Sequence, residues 1–254
     1  MRILITNDDG IHASGLNALH GALRDIGTVV AIAPERPRSA CGHAITLHKP
    51  LRLRRVEMPG GTVGYASNGT PADCVALGVS DHLGGHPDLV VSGINLGPNL
   101  GVDMTYSGTV AAAMEAAICG IPSFAISVAS YERADFEPAA EFAAYLAQRI
   151  GDHGMGGASF LNVNVPAVAR SEIVGVRITR QGRLRYSNRI ERRTDPRGGV
   201  YYWLTGERVG RSAQAGGDVD AVEANIISVT PVRLDLTDDQ LLDELTSWNL
   251  HWPE

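Results

Sequence analysis

The chain has 254 residues, of which 44% are hydrophobic and 20% are charged, and its formal net charge at pH 7 is -6. This length and composition are those of a globular protein with a large core. The acidic balance, with a pI near 5.7, disfavours binding to nucleic-acid duplexes. No apolar run approaches the ~18 residues that span a bilayer, and we expect no signal peptide because the segment before Asn7 is too short.

We expect a cytoplasmic protein with reduced thiols, because Cys41, Cys74 and Cys119 are odd in number and scattered along the chain. These cysteines and the eight histidines show no CxxC, HxH or HExxH spacing. A thiolate or imidazole zinc site is therefore disfavoured. Neither a membrane nor a nucleic acid is an expected partner.

The first predicted element is a strand over Arg2–Thr6, which leads directly into Asn7-Asp8-Asp9-Gly10. Neighbouring side chains of a strand point to opposite faces, so the two aspartates can reach one point only after the chain has turned at the glycine. Two carboxylates at a buried strand end are costly unless something neutralises them, and a hard divalent cation would do so. On its own, however, the sequence DDG more often indicates a solvated turn.

Strands and helices are predicted to alternate through residue 165. Ser14 is a candidate cap for the first helix and Gly27 a candidate end, whereas Thr70-Pro71 with Asp73 is a strong helix start. The predicted strands are Arg2–Thr6, Val29–Ala33, Leu89–Ser92, Ser123–Val128 and Phe160–Val165, and the predicted helices cover 14–26, 71–83, 107–119 and 137–150. This alternation indicates an α/β fold with a mostly parallel sheet, whose ligands bind beyond the carboxyl ends of the strands.

Three further segments are expected near that end of the sheet. Loop 33–43 offers the hydroxyl of Ser39, and loop 92–101, with three glycines and two asparagines, offers the amide oxygen of Asn95. Ser107-Gly108-Thr109 begins a helix whose free N–H groups and dipole favour an anion such as phosphate. Taken singly, loop 33–43 is more typical of a plain connection and Ser107-Gly108-Thr109 of a helix cap, whereas loop 92–101 is equally compatible with a turn that binds no ligand.

The pattern changes after Pro166. Strand-like runs at 173–179, 200–204 and 226–232 accompany an arginine-rich stretch at 177–197, which we interpret as an extended hairpin or arm, with a solvated charged loop as the alternative. Residues 237–252 are predicted to form an amphipathic helix. No low-complexity linker divides the chain, so we expect a single domain over 1–254, with a core at 1–165 that carries the active site and a C-terminal extension at 166–254.

Five segments occur in a fixed order: NDDG at 7–10, APERPRSACG at 33–42, GTPADCV at 69–75, PDLVVSGINLGPNLG at 87–101 and YSGTVAAAMEA at 106–116. Together they resemble the SurE family of stationary-phase survival proteins, which are metal-dependent 5′/3′-nucleotidases. The resemblance continues more loosely through 179–182 and 218–232. It implies a Rossmann-like three-layer α/β sandwich with a mostly parallel sheet, plus a C-terminal β-rich arm and a terminal helix used in oligomerisation.

The resemblance also implies one divalent metal ion per subunit, Mg²⁺ or Mn²⁺. The implied metal ligands are two carboxylates, a hydroxyl and an amide oxygen: Asp8, Asp9, Ser39 and Asn95. Such an all-oxygen set suits these ions and disfavours zinc. Either aspartate could also attack phosphorus or orient a water molecule, so both are candidate catalytic residues.

The implied substrate is a nucleoside 5′-monophosphate, with 3′-monophosphates left open. Its phosphate would be bound by the Asn95 loop and by Ser107, Gly108 and Thr109. The implied assembly is a homodimer or homotetramer with exchanged C-terminal elements. The family's GTD motif stands here as Gly216-Gly217-Asp218, so any role of the threonine is in doubt, and no catalytic histidine is implied, since His251 is interpreted as a tail residue.

Other classes fit the sequence less well. A receiver domain needs an aspartate near residues 50–57, where the chain has Leu51-Arg52-Leu53-Arg54-Arg55-Val56, and a zinc deacetylase begins His-Pro-Asp-Asp, whereas Thr6-Asn7 stands here. A Rossmann dehydrogenase needs G-x-G-x-x-G after its first strand, and this chain has none there. A non-catalytic nucleotide-binding or phosphate-binding oligomer stays open as the main alternative, because it would keep the phosphate loops without needing the carboxylates.

Overall fold

The computed structural model describes residues 1–80, 85–132, 134–156, 158–187, 189–206, 208–212 and 216–252. The strands are β1 Arg2–Thr6, β2 Thr28–Pro34, β3 Leu53–Glu57, β4 Val63–Ser67, β5 Leu89–Leu96, β6 Ser123–Ala129, β7 Ser159–Pro166, β8 Gly175–Ile178, β9 Arg183–Tyr186, β10 Ile190–Thr194, β11 Val200–Leu204, β12 Arg208–Ser212 and β13 Ile226–Arg233. The helices are α1 Ser14–Leu23, α2 Pro71–Gly78, α3 Gly108–Ile118, α4 Glu137–His153, α5 Asp218–Glu223 and α6 Asp239–Ser247.

Nine strands form one sheet in the order β3-β4-β2-β1-β5-β6-β7-β13-β8. The pairs β3–β4 and β7–β13 are antiparallel, and the other neighbours in this sheet run parallel. The mostly parallel α/β sheet predicted from the sequence is therefore confirmed. Between β1 and β5 the order of the strands reverses, and such a switch point opens a crevice at the carboxyl ends of the two strands.

The two faces of the sheet are covered by different helices, which gives three layers. Ile3 and Ile5 pack into the cluster that contains the buried faces of α1 and α4. Leu4, which points to the other face, packs with residues of α2 and α3, including Cys74 and Ala112. The alternation of side chains along β1 thus buries the strand on both faces.

The helix starts differ in how well the sequence predicts them. Thr70 caps α2 in a full capping box with Asp73, as predicted. The predicted cap at Ser14 is wrong: Ala13 occupies that position without a side-chain hydrogen bond, because Ser14 already has helical geometry. Helix α1 ends at Leu23 rather than at Gly27. Helix α2 ends at Gly78, and residues 81–83 of its predicted span lie outside the described residues.

Three elements were not predicted from the sequence: β3 and β4, which extend the edge of the sheet, and the short helix α5. Strand β3 is mostly exposed and three of its five residues are charged. Charged residues protect the edge of a sheet from pairing with other strands, but they leave no hydrophobic pattern by which the strand could be predicted. Among the described residues, no helix has the length and apolar character needed to cross a bilayer.

The C-terminal extension leaves the main sheet after β8. Strand β9 pairs with β12 and β10 pairs with β11, both antiparallel, so the extended hairpin predicted for the arginine-rich stretch is confirmed. We call the β10–β11 unit, residues 190–204, the arm hairpin. Helix α6 forms within the predicted span 237–252, and none of its residues is buried.

Candidate active site

A pocket of about 310 Å³ lies in the crevice at the carboxyl ends of β1 and β5. Its lining includes five of the side chains selected from the sequence: Asp8, Asp9, Ser39, Asn95 and Ser107. A larger groove of about 660 Å³ between α1 and α4 is lined mainly by alanines. The smaller pocket is the candidate active site because it gathers the oxygen donors.

The turn after β1 brings the two aspartates to this pocket. The side-chain amide of Asn7 donates to the carbonyl of Gly10 (3.1 Å), and the Gly10 N–H donates back to Asn7 Oδ1 (3.1 Å). Gly10 has φ +102°, a conformation that other residues rarely adopt. This closed turn is the change of direction predicted from the DDG sequence.

Asp8 is 5% exposed and is held by the start of α3. Its Oδ1 accepts a hydrogen bond from the hydroxyl of Thr109. A Cβ atom at Gly108 would lie 2.8 Å from Asp8 Cβ and 2.8 Å from Cys41 Sγ, so the close approach of the helix requires a glycine there. Helix α3 and β1 therefore fix the Asp8 carboxylate from two sides.

The pKa values of both carboxyl groups are raised. Burial raises the pKa of Asp8 to about 6, the charge of Asp9 adds to the shift, and the hydrogen bond from Thr109 opposes it. Burial likewise raises the pKa of Asp9, against a backbone hydrogen bond from the Leu96 N–H (3.4 Å). Two close carboxylates in a desolvated site would both be stabilised by a bound cation.

Asn95 reaches the pocket because the pairing of β5 with β6 shifts register between Ser92 and Asn95. Its side-chain nitrogen donates to the carbonyl of Gly97 (2.8 Å), so its other terminal atom, the carbonyl oxygen, is the one suited to a cation. The backbone N–H of Arg38 donates to the Asp8 carbonyl (2.7 Å), which holds the next residue, the exposed Ser39, beside Asp8.

The start of α3 combines a cap with a buried threonine. Ser107 is the N-cap and accepts from the Val110 N–H (3.1 Å), so the plain capping role that the sequence left open is present. Thr109 does not line the pocket: it is fully buried and its hydroxyl donates to Asp8. In this geometry its side chain orients a carboxylate, and the sequence alone did not predict this role.

Two supports of the Asn95 loop were also missed. The Asn99 N–H donates to Asn164 Oδ1 (2.8 Å), and the amides of Asn162 and Asn164 both donate to the Asn99 carbonyl (2.7 and 3.1 Å). The signal was present in the sequence, because two asparagines at alternate positions of an otherwise apolar strand share one buried face. This network fixes the loop between the pocket and β7.

Asp218 is the second support and is fully buried. Its carboxylate accepts from three backbone N–H groups, those of Gly101 (2.9 Å), Gly182 (2.9 Å) and Val219 (2.7 Å). It thereby joins the Asn95 loop to the segment that leads into β9. Gly217, the N-cap of α5, has no side chain and makes no side-chain cap.

The donors in the pocket fit a hard divalent ion. No three His, Cys, Asp or Glu side chains of the described residues cluster in the way a metal site of those ligands requires. The pocket instead combines two carboxylates with a hydroxyl and an amide oxygen, which suits Mg²⁺ or Mn²⁺. Burial raises the pKa of the neighbouring Cys41 thiol, which favours its protonated form.

The fold and the pocket together define a class: a Rossmann-like α/β protein with an oxygen-lined site at the switch point of its sheet. The family model described as Survival protein SurE matches residues 3–188. The chain belongs to the SurE family.

Two curated relatives, both named 5′-nucleotidase SurE, match nearly the whole chain. The protein from Symbiobacterium thermophilum is 51% identical over 251 residues, which is 98% of this chain and 98% of that protein. The protein from Heliobacterium modesticaldum is 48% identical over 249 residues, 98% of this chain and 92% of that protein. The crystal structure of the SurE protein from Aquifex aeolicus superposes with a TM-score of 0.84 at 41% identity and covers 98% of this chain and 99% of that one.

Proposed function

We propose that this protein is a divalent-metal-dependent 5′-nucleotidase, which hydrolyses nucleoside 5′-monophosphates to a nucleoside and phosphate. The observation that supports it most directly is the pair formed by the buried Asp8 and the half-buried Asp9, which faces one pocket with Asn95 and the start of α3. The names of the relatives from two genera support the same reaction. Hydrolysis of 3′-monophosphates by the same site is left to experiment.

One metal ion, Mg²⁺ or Mn²⁺, would be held by Asp8, Asp9, Ser39 and Asn95. When bound, such an ion polarises the phosphoryl oxygens and neutralises the charge that develops on them. The paired carboxylates would otherwise repel a dianionic substrate. The need for the ion therefore follows from the same acidic pair that would bind it.

Groups of the protein itself would bind the phosphate and orient the attacking water molecule. The N–H groups and hydroxyl at Ser107 and Gly108 are suited to bind the phosphate at the start of α3. Thr109 keeps the buried Asp8 carboxylate in one orientation. Asp9 is less buried than Asp8, so it is better placed to orient an attacking water molecule. We assign the catalytic role to this carboxylate pair.

The test of the function is phosphate release from nucleoside monophosphates and simple phosphomonoesters by protein stripped of metal with EDTA and then given one divalent ion at a time. We expect turnover of a nucleoside 5′-monophosphate that requires Mg²⁺ or Mn²⁺. A parallel thermal melt should show these ions stabilising the wild type but not Asp8→Asn. Undiminished rates in metal-free protein would contradict the requirement for a metal ion. Nucleotide binding without release of phosphate would favour the non-catalytic alternative.

We further propose that the subunits form a homodimer or homotetramer through their C-terminal elements, and that the chain acts as one domain in the cytoplasm. The support for assembly is the apolar surface of the arm hairpin, with Tyr202, Trp203 and Leu204 exposed, and of α6, with Leu242 and Trp248 exposed. Exposed patches of this kind mark interfaces. The free thiols of the three cysteines support a reducing compartment. Light scattering on the full chain measures the assembly.

A further inference from the structure

The candidate active site has an aromatic side that the proposed reaction does not use. Tyr131 and Tyr106 line the same pocket as the oxygen donors, and they are 77% and 66% exposed. Single exposed apolar side chains are ordinary on protein surfaces. Two tyrosines that line one pocket of about 310 Å³, beside two carboxylates, are a more specific arrangement.

Tyr131 is placed by hydrogen bonds on both sides of it. The Ser130 N–H donates to the Val128 carbonyl (2.9 Å), and the Glu132 N–H donates to Ser130 Oγ (3.1 Å). The Gly97 N–H donates to the same Val128 carbonyl (3.1 Å), which brings the Asn95 loop against the turn. One edge of the Tyr131 ring lies 3.5 Å from the position that a Cβ atom of Gly97 would occupy.

Tyr106 is placed by the other wall of the pocket. It follows the 3₁₀ helix Gly101–Thr105 and directly precedes Ser107, the cap of α3. Its carbonyl accepts from the Gly42 N–H (3.0 Å), which ties it to the loop that carries Ser39. The two rings are therefore carried by separate, hydrogen-bonded segments, one after β6 and one before α3.

We propose that Tyr131 and Tyr106 form the subsite that binds the nucleobase by stacking. This inference rests on the proposed nucleotidase function, since it concerns the part of the substrate beyond the phosphate. With the phosphate at the start of α3 and the metal on the carboxylates, the base extends toward the open, aromatic side. Stacking on an aromatic face is tolerant of base identity because every base has a π-face, and purines offer the larger area.

The test compares two substrates that share the ester and differ in the base: AMP and ribose 5-phosphate. In Tyr131→Ala, kcat/KM for AMP should fall about tenfold through KM, and the ratio of kcat/KM for AMP to that for ribose 5-phosphate should fall by a similar factor. Tyr131→Phe keeps the ring and should keep the ratio. Tyr106→Ala should lower the ratio in the same direction.

The matched control is Tyr145→Ala, because Tyr145 is an exposed tyrosine on α4 outside this pocket. Its ratio should equal that of the wild type. An equal loss on both substrates in Tyr131→Ala, or a wild type without preference for AMP over ribose 5-phosphate, would overturn the base subsite and leave the phosphatase activity standing. A wild type that hydrolyses neither compound with any divalent ion would refute the nucleotidase proposal itself, and the subsite with it.

Discussion

The active-site pocket and the arm hairpin differ in which side chains they bury and which they expose. Around the pocket, polar residues such as Asn99, Thr109 and Asp218 are buried and hydrogen-bonded within the chain. In the arm hairpin, large apolar residues such as Trp203 and Leu204 are exposed. The buried polar groups have hydrogen-bond partners, so their burial is compensated. The exposed apolar groups are in contact with water, which costs free energy.

This contrast indicates that one chain forms the pocket by itself, whereas the arm hairpin would need another chain to bury its apolar side chains. The donors of the pocket come from the ends of β1 and β5, the loop after β2 and the start of α3. Strands β1 and β5 and helix α3 contribute buried side chains to the core clusters of the same chain. The arm hairpin pairs with itself and leaves its side chains to solvent. We therefore expect mutations around the pocket to change the activity or stability of a single subunit, and mutations in the arm hairpin to change the assembly of subunits.

The largest expected effect is on turnover. Asp9→Asn should lower kcat by about 10³-fold, because it removes a charged metal ligand and a candidate base while leaving the fold in place. Phosphate release measures the loss, and circular dichroism checks the fold. Asp195→Asn in the turn of the arm hairpin is the matched control and should keep full turnover. Full activity of Asp9→Asn would refute the site.

The next effect is on stability. Asp218→Ala should lower the free energy of unfolding by about 3 kcal/mol, because three backbone N–H groups lose a buried acceptor. Urea denaturation measures this change. Asp152→Ala, at an exposed position of α4, should change the same quantity by less than about 0.5 kcal/mol. Equal values for the two variants would show that the buried carboxylate does not join the loop to the segment before β9.

A smaller effect depends on pH and concerns metal-free protein. Burial raises the pKa of Asp8 to about 6, so between its ordinary value of 3.8 and about 6 the folded state binds more protons than the unfolded state. The stabilisation is therefore complete below the lower value and is lost as pH rises through the higher one. Asp8→Asn cannot ionise, so its advantage in unfolding free energy over the wild type should grow by about 2 kcal/mol between pH 4 and pH 8.

Urea denaturation in EDTA at a series of pH values measures this advantage. Asp195→Asn serves again as the control, because Asp195 is an exposed aspartate in the turn of the arm hairpin and lies outside the pocket. A difference between Asp8→Asn and the wild type that does not depend on pH would mean that the carboxylate is not destabilised by burial.

The smallest effect on a single chain's stability is expected in the arm hairpin. Leu204→Glu should change the unfolding free energy of a subunit by less than about 0.5 kcal/mol, yet it should reduce the assembly to monomers. Leu204 and Leu47 are each 85% exposed, and Leu47→Glu, in the loop of the main body, should leave the assembly intact. Light scattering distinguishes the two variants, and identical masses would contradict the proposed interface.

The parts of the fold that were predictable are those with strong local signals. Strand β1 was predicted to the residue and the capping box at Thr70 was recognised, because a buried β-branched run and a threonine-proline start are explicit in the sequence. The five pocket residues were selected because they follow strand ends or begin a helix, and the structure brings them into one pocket. Their metal-binding and catalytic roles stay predictions.

The parts that were not predictable depend on contacts between distant segments. The link from Asp218 to Gly101 spans 117 positions, and the link from Thr109 to Asp8 spans 101, so neither leaves a local pattern. Strand β3 was missed because its charged residues suit an exposed edge. Sequence patterns therefore predicted five residues of the pocket lining but not the contacts that hold them in place.

The central position of β1 in the sheet affects when the pocket can form during synthesis on the ribosome. Asp8 and Asp9 are made before β5, yet β1 needs β5 as its second neighbour, and Ile3 pairs with Leu89. At a synthesis rate of ~5–20 residues per second, Asn95 emerges on the order of 10 seconds after the acidic pair. During that interval β5 cannot yet contribute to the burial of the two carboxylates. The charge repulsion of the pocket is therefore imposed late, when β5 closes the crevice.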